Sequence, residues 1–132
     1  MKLISNVSEI KITNSDLFEK LCVIENYKKI MPDNVSKFEI IDSGSFIFSI
    51  TGMPAIKLKF SQKISHSKII LESLDSKINF TLTAFINTND SKNTSFYLEF
   101  NGNLNPMIQM MVKSPLQSFI NDLSKNIIKL DE

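Results

Sequence analysis

Asn105-Pro106-Met107-Ile108-Gln109-Met110-Met111-Val112-Lys113-Ser114-Pro115-Leu116-Gln117-Ser118-Phe119-Ile120-Asn121-Asp122-Leu123-Ser124-Lys125-Asn126-Ile127-Ile128-Lys129-Leu130 is the stretch that decides the fold. Ile108, Met111, Val112, Leu116, Phe119, Ile120, Leu123, Ile127 and Leu130 recur three or four residues apart, so one side of a helix is apolar over its whole length. Such a stripe must be buried, and the partner on offer is the segment from Val35 to Leu104, which reads almost throughout as antiparallel strands. The expected fold is α+β, a curved antiparallel sheet wrapped around one long C-terminal helix. Pro115 interrupts the stripe, because an interior proline removes a helical hydrogen bond and costs about 3 kcal/mol. Ser114-Pro115-Leu116-Gln117 is itself a helix-start pattern, a serine cap followed by proline at the first helical position. The spacing therefore predicts a leading helix near Pro106 to Val112, a kink or break, and a main helix from about Pro115 to Leu130.

Upstream, Lys2 to Thr13 reads as a first strand with β-branched Val7, Ile10 and Ile12. Asn14 or Ser15 is the expected cap of a short helix with Leu17, Phe18 and Leu21 on its apolar face. A second short helix, Glu25 to Ile30, must stop before Pro32. From Val35 the period falls to two: Phe38 and Ile40; Phe46, Phe48 and Ile50; Ile56, Leu58 and Phe60; Phe80, Leu82, Ala84 and Ile86; Phe96, Leu98 and Phe100. A strand from Lys68 to Leu74 lies between these rows. Turns are expected at Asp42 to Ser45, Gly52-Met53-Pro54, Ser65-His66-Ser67, Asp75-Ser76-Lys77 and Asn87 to Asn93. That makes seven strands, with the two short helices between strands one and two.

At 132 residues the chain, 1–132, fits one domain with a sizeable core. Lysine supplies all 15 cations against 14 acidic residues, for a formal charge of +1 without a basic block, which argues against a nucleic-acid partner. Without arginine there is no bidentate fork for phosphate. No apolar run is long enough to span a bilayer and no export signal is read at the start, so a cytoplasmic location is expected and the five sequons carry no weight. Cys22 reads as a small core residue. His66, the single histidine, falls in a polar turn, and neither it nor any carboxylate cluster has metal-ligand or catalytic spacing. Tyr97 and Glu99 share the outward face of the last strand. No catalytic residue, metal or cofactor is assigned.

The order of elements, with Leu17-Phe18 and Leu21 after strand one, Tyr27 to Met31-Pro32 before strand two, Gly52-Met53-Pro54 in a hairpin, and Pro115-Leu116 with Phe119 to Leu123 in the last helix, resembles the START-like helix-grip superfamily. That group (SRPBCC) includes the birch-pollen allergen and polyketide cyclases. The resemblance covers almost the whole chain and implies a pocket between sheet and terminal helix. Carried over, the cavity lining is Phe46, Phe48, Ile50, Ile56, Leu58, Phe80, Leu82, Leu98, Phe100, Met107, Met110, Met111 and Phe119. The mouth falls at Gly52, Met53, Pro54 and Asn103, beside the turn at Asp75-Ser76-Lys77, with the three methionines as roof or lid. An apolar, aromatic lining implies an apolar ligand. The function expected is non-catalytic binding or carriage of a small hydrophobic molecule, such as a lipid, isoprenoid or quinone. Two alternatives stand beside it. One is a polyketide cyclase-like enzyme using Asn101, Asn103, Ser49 or Thr51; the other is a module that meets a protein or membrane through the Met-rich helix start. The sequence names no protein partner.

Overall fold

The computed structural model describes residues 1–74, 79–90 and 93–131. The turn expected at Asp75-Ser76-Lys77 and the Ser91-Lys92 centre of the hairpin turn lie outside the described residues. The elements run β1 (Lys2–Ile4), β2 (Ser8–Ile10), α1 (Asn14–Leu21), α2 (Asn26–Ile30), β3 (Val35–Asp42), β4 (Ser45–Ile50), β5 (Ile56–Ile64), β6 (Lys68–Ser73), β7 (Phe80–Asp90), β8 (Asn93–Gly102), α3 (Pro106–Lys125) and a closing 3₁₀ turn, Asn126–Asp131. The strands form one antiparallel sheet in the order β1-β8-β7-β6-β5-β4-β3, with β2 also paired to β8. Each strand from β3 to β8 pairs with its chain neighbour, and the first strands return to cover the edge of the last.

The alternation seen in the sequence sets which face packs. Phe46, Phe48, Ile50, Ile56, Leu58, Leu82, Ala84, Phe96, Leu98 and Phe100 are buried, together with Ile69 and Leu71 of β6. Against them lie Leu116, Phe119, Ile120 and Leu123 of α3, then Ile127 and Leu130 of the 3₁₀ turn. Phe119 stacks on Phe48 with ring centroids 5.0 Å apart, which fixes the helix against β4. The outer face is wetter: Lys2 pairs with Glu99 at 2.8 Å, Lys59 with Glu72 at 3.2 Å, and Tyr97 stacks on Phe85.

Three local expectations are corrected. The first strand is two strands, because Ser5 breaks it: its Oγ, rather than a backbone carbonyl, accepts from the Leu98 N–H at 2.8 Å, while its own N–H donates to the Leu98 carbonyl at 2.9 Å. The cap of α1 is Thr13, not Asn14 or Ser15. Thr13 is still extended, and its Oγ1 accepts from the Asp16 N–H at 3.1 Å, so the helix begins one residue after the β-branched segment ends.

The third correction concerns Pro115, which does not divide the terminal helix. α3 is continuous for 20 residues, about 30 Å, with Asn105 Oδ1 accepting from the Ile108 N–H at 2.9 Å as its cap and Pro106 in the first turn. A proline removes one hydrogen bond, whereas a break would orphan up to about four N–H and four carbonyl groups at the new ends. It would also swing the half-buried Ile108 and Val112 away from the face they share with Leu116. Continuity is the lower-energy choice.

A second, polar stripe on α3 had no counterpart in the sequence reading. Gln117, Asn121 and Ser124 stand at i, i+4 and i+7. Gln117 Nε2 donates to the Ile4 carbonyl at 2.9 Å, Asn121 Oδ1 accepts from the Asn6 N–H at 2.9 Å, and the Ser124 hydroxyl donates to the Asn6 carbonyl at 2.8 Å. These bonds occupy the backbone groups freed where β1 gives way to β2. Beyond them, Asn126 Nδ2 donates to the Ile30 carbonyl at 3.1 Å and ties the helix end to α2. Among the described residues, no helix is long and apolar enough to cross a membrane.

Candidate functional site

The space under α3 is not one cavity. Toward the middle of the sheet, Tyr27, Phe46, Phe48, Leu58, Leu82, Leu98 and Phe119 surround a void of only about 10 Å³. That is at the lower limit for a single water. The Tyr27 hydroxyl, which also faces this region, donates to the Leu21 carbonyl at 2.7 Å, and burial raises it far above its ordinary value, so it stays neutral. Among the described residues, no buried side-chain nitrogen or oxygen lacks a partner. The centre is packed and its polar groups are satisfied.

A larger, partly open cavity, about 190 Å³, lies nearer the start of α3. Met53, Pro54, Ala55 and Ile56 form one wall, Phe80 the floor, and Ile108, Met111 and Val112 the helix side. The β4–β5 loop is shaped for this role. Gly52 takes φ +85°, a left-handed conformation that favours glycine, and the Met53 N–H donates to the Ile50 carbonyl at 2.9 Å to close the turn. The Thr51 N–H and hydroxyl both donate to the Asn34 carbonyl at 2.9 Å, anchoring the loop to the start of β3. Every side chain in the wall is apolar, and no titratable group faces the space among the described residues.

The residues expected in the lining divide by depth. Ile56, Phe80 and Met111 border the 190 Å³ cavity, as do Met53 and Pro54 of the expected mouth. Phe46, Phe48, Leu58, Leu82, Leu98 and Phe119 border the small central void, whereas Ile50 and Phe100 are buried but border neither. Met107 and Met110 do not roof anything: they are 74% and 85% exposed, and even Met111 is 71% exposed. Gly52 is exposed in the loop, and Asn103 lies on the far side of Phe80, in an open depression it shares with Asn79, Asn101 and Gly102. That depression has its own floor in Phe80 but is too open to exclude water. Ala55, Ile108 and Val112 complete the wall of the 190 Å³ cavity and were not among the expected residues. Ile108 and Val112 carried a signal, being one turn apart on the apolar stripe; Ala55 carried none.

The polar candidates for catalysis are dispersed. Asn101 and Asn103 face the open depression, Thr51 is committed to Asn34, and Ser49 lies on the opposite side of β4 from Phe48 and Ile50. His66 sits in its turn at φ +66° with its ring edge-on to Phe18 at 5.6 Å. Burial pushes the half-buried Cys22 thiol upward, away from a reactive thiolate. Among the described residues, no group of three or more histidine, cysteine, aspartate or glutamate side chains is placed to hold a metal ion.

No family model matches the chain, and no curated protein matches it. Solved structures do. Norcoclaurine synthase from Thalictrum flavum, a point mutant in complex with a transition-state analogue, superposes with a TM-score of 0.71 at 12% identity over 100% of this chain and 98% of that one. A conserved protein from Geobacillus kaustophilus gives 0.67 at 14% identity over 98% and 93%. A START superfamily protein from Mycobacterium smegmatis gives 0.67 at 10% identity over 98% of both chains. These likenesses span the described sheet, both short helices and α3 alike, and on them the chain has the START-like helix-grip fold.

Proposed function

We propose that this protein binds a small hydrophobic molecule in the cavity between the β4–β5 loop and the first turns of α3, without transforming it. The observation that carries the reading is a partly open space of about 190 Å³ whose wall holds only apolar side chains. A dry cavity of about 150 Å³ is enough to take benzene, while drug-sized sites run to roughly 300–1,000 Å³. The occupant is therefore a single ring, a short hydrocarbon, or the end unit of a longer lipid or quinone whose remainder lies outside over Met107 and Met110. A neighbour in fold, norcoclaurine synthase, has been solved with dopamine and hydroxybenzaldehyde, each a one-ring compound. An enzyme working on such molecules needs polar groups beside them, and the wall here supplies none, which favours binding over a cyclase-like reaction.

Ethylbenzene is a suitable probe. Saturating amounts should raise the thermal midpoint of the wild-type protein, since a ligand bound only by the folded state stabilises it by mass action. Val112→Phe should fill the space and abolish that rise while leaving the protein folded. No shift in the wild type, together with no small molecule in organic extracts of purified protein, would sink the reading.

A second reading draws on the exposure of the methionines. Met107, Met110 and Met111 form an apolar, adaptable surface at the cavity's edge. Docking of this surface on a membrane or a protein would place the cavity against the partner. Flotation with phospholipid vesicles, lost in Met110→Asp and Met111→Asp with ethylbenzene binding retained by Met110→Asp, is the outcome this reading requires.

A further inference from the structure

The two spaces under α3 share no lining residue, so a partition of side chains separates them. Along β5 the inward residues pass from Ile56 at the outer cavity to Leu58 at the central void, and along β7 from Phe80 to Leu82. Each is a step of two residues, about 7 Å. Along α3, Val112 borders the cavity and Phe119 the void, with Leu116 between them and bordering neither. Phe100 completes the division from β8. It pairs with Leu82 across the sheet, and its ring stacks on Phe80 with centroids 4.7 Å apart. It is 1% exposed and borders neither space.

The sequence places a glycine where this ring needs one. A Cβ on Gly102 would stand 2.9 Å from Phe80 Cβ and 3.1 and 3.2 Å from the Phe100 ring. The ring therefore leans along β8 toward Gly102 and stacks behind Phe80, which itself lines the outer cavity. We infer that Phe100, backed by Leu116, is a plug that sets the depth of the ligand cavity and so limits the length of hydrocarbon the site accepts. This rests on the proposed hydrophobic-ligand reading of the same cavity, and it assigns specificity to a residue outside the cavity's present wall.

The test is a size series of alkylbenzenes, from toluene to octylbenzene, titrated by calorimetry against wild type, Phe100→Ala, the gentler Phe100→Leu, Leu116→Ala, and Phe96→Ala. Phe96 borders the central void and not the outer cavity, so its truncation loosens the core without removing the partition. The wild type should bind the short members and lose affinity at least tenfold for longer ones. Phe100→Ala should move that cutoff outward by several methylenes, since the residues lining the two spaces stand about 7 Å apart along β5 and β7. Phe100→Leu and Leu116→Ala should move it less, and Phe96→Ala should leave it in place. An unchanged cutoff in folded Phe100→Ala and Phe100→Leu, or an equal extension in Phe96→Ala, overturns the plug. Binding by Phe100→Ala alone, with none in wild type, supports the plug and defeats the reading of the wild-type site. Binding by neither defeats both.

Discussion

Gly102 and Tyr27 show how single positions hold the space around the site. Gly102→Ala would press a methyl against Phe80 and Phe100, two stacked rings that cannot both retreat. Overpacking of this kind costs about 1–3 kcal/mol, so a lower urea midpoint with an unchanged slope is expected. Tyr27 is a different case. Burial raises its hydroxyl well above the ordinary value of 10.0, so the folded protein keeps a proton that the unfolded chain releases near pH 10. Its stabilising contribution is intact below that pH and is lost as pH rises beyond it, with a slope of up to about 1.4 kcal/mol per pH unit. Tyr27→Phe should weaken the protein at neutral pH, because the Leu21 carbonyl loses its donor, and should flatten the alkaline decline. Urea unfolding at about pH 8 and about pH 11 on both proteins measures the difference. Neither role was visible beforehand: which ring crowds Gly102 depends on the register between β7 and β8.

At the scale of elements, periodicity was a sound guide, and punctuation was one at the turns around Gly44, Gly52 and His66 but not at Ser5 and Pro115. The inward rows of β4, β5, β7 and β8 and the apolar face of α3 follow directly from spacings of two and of three to four residues. Ser5 and Pro115 misled because each was judged by local propensity. Ser5 looked like an ordinary strand residue, yet its hydroxyl takes over a ladder bond. Pro115 looked like a helix start, yet the ends of a divided helix would orphan more groups than the ring does. If the helix tolerates proline only because breaking is worse, removing the proline should help. Pro115→Ala is expected to recover most of the roughly 3 kcal/mol helix penalty, less about 1 kcal/mol from the freer unfolded chain, for a net gain near 2 kcal/mol. Circular dichroism should register little change in helix content. The cavity was the least legible part. Apolar rows announce that a face is buried, but whether rings meet or leave a gap depends on side-chain packing, which no spacing rule reports.

On the scale of the whole molecule, the sheet, α3 and the first strands surround a filled core, with a modest apolar cavity set at its edge. The division matters for how the fold is used: most inward aromatic residues hold the structure together, whereas the rim near the β4–β5 loop retains space. The polar stripe of Gln117, Asn121 and Ser124 also has a bearing on time. Its bonds to Ile4 and Asn6 join residues 113 to 118 positions apart, and β1 pairs with β8 across nearly as long a span. Contacts of such separation form late, since the intervening chain must first be brought together. During synthesis, β1 must wait, edge groups unpaired, until β8 and α3 have been made. An arrest-peptide force measurement should accordingly find its main folding event only after the 3₁₀ turn has cleared the exit tunnel, and a strong earlier event would mean that the sheet closes without its helix.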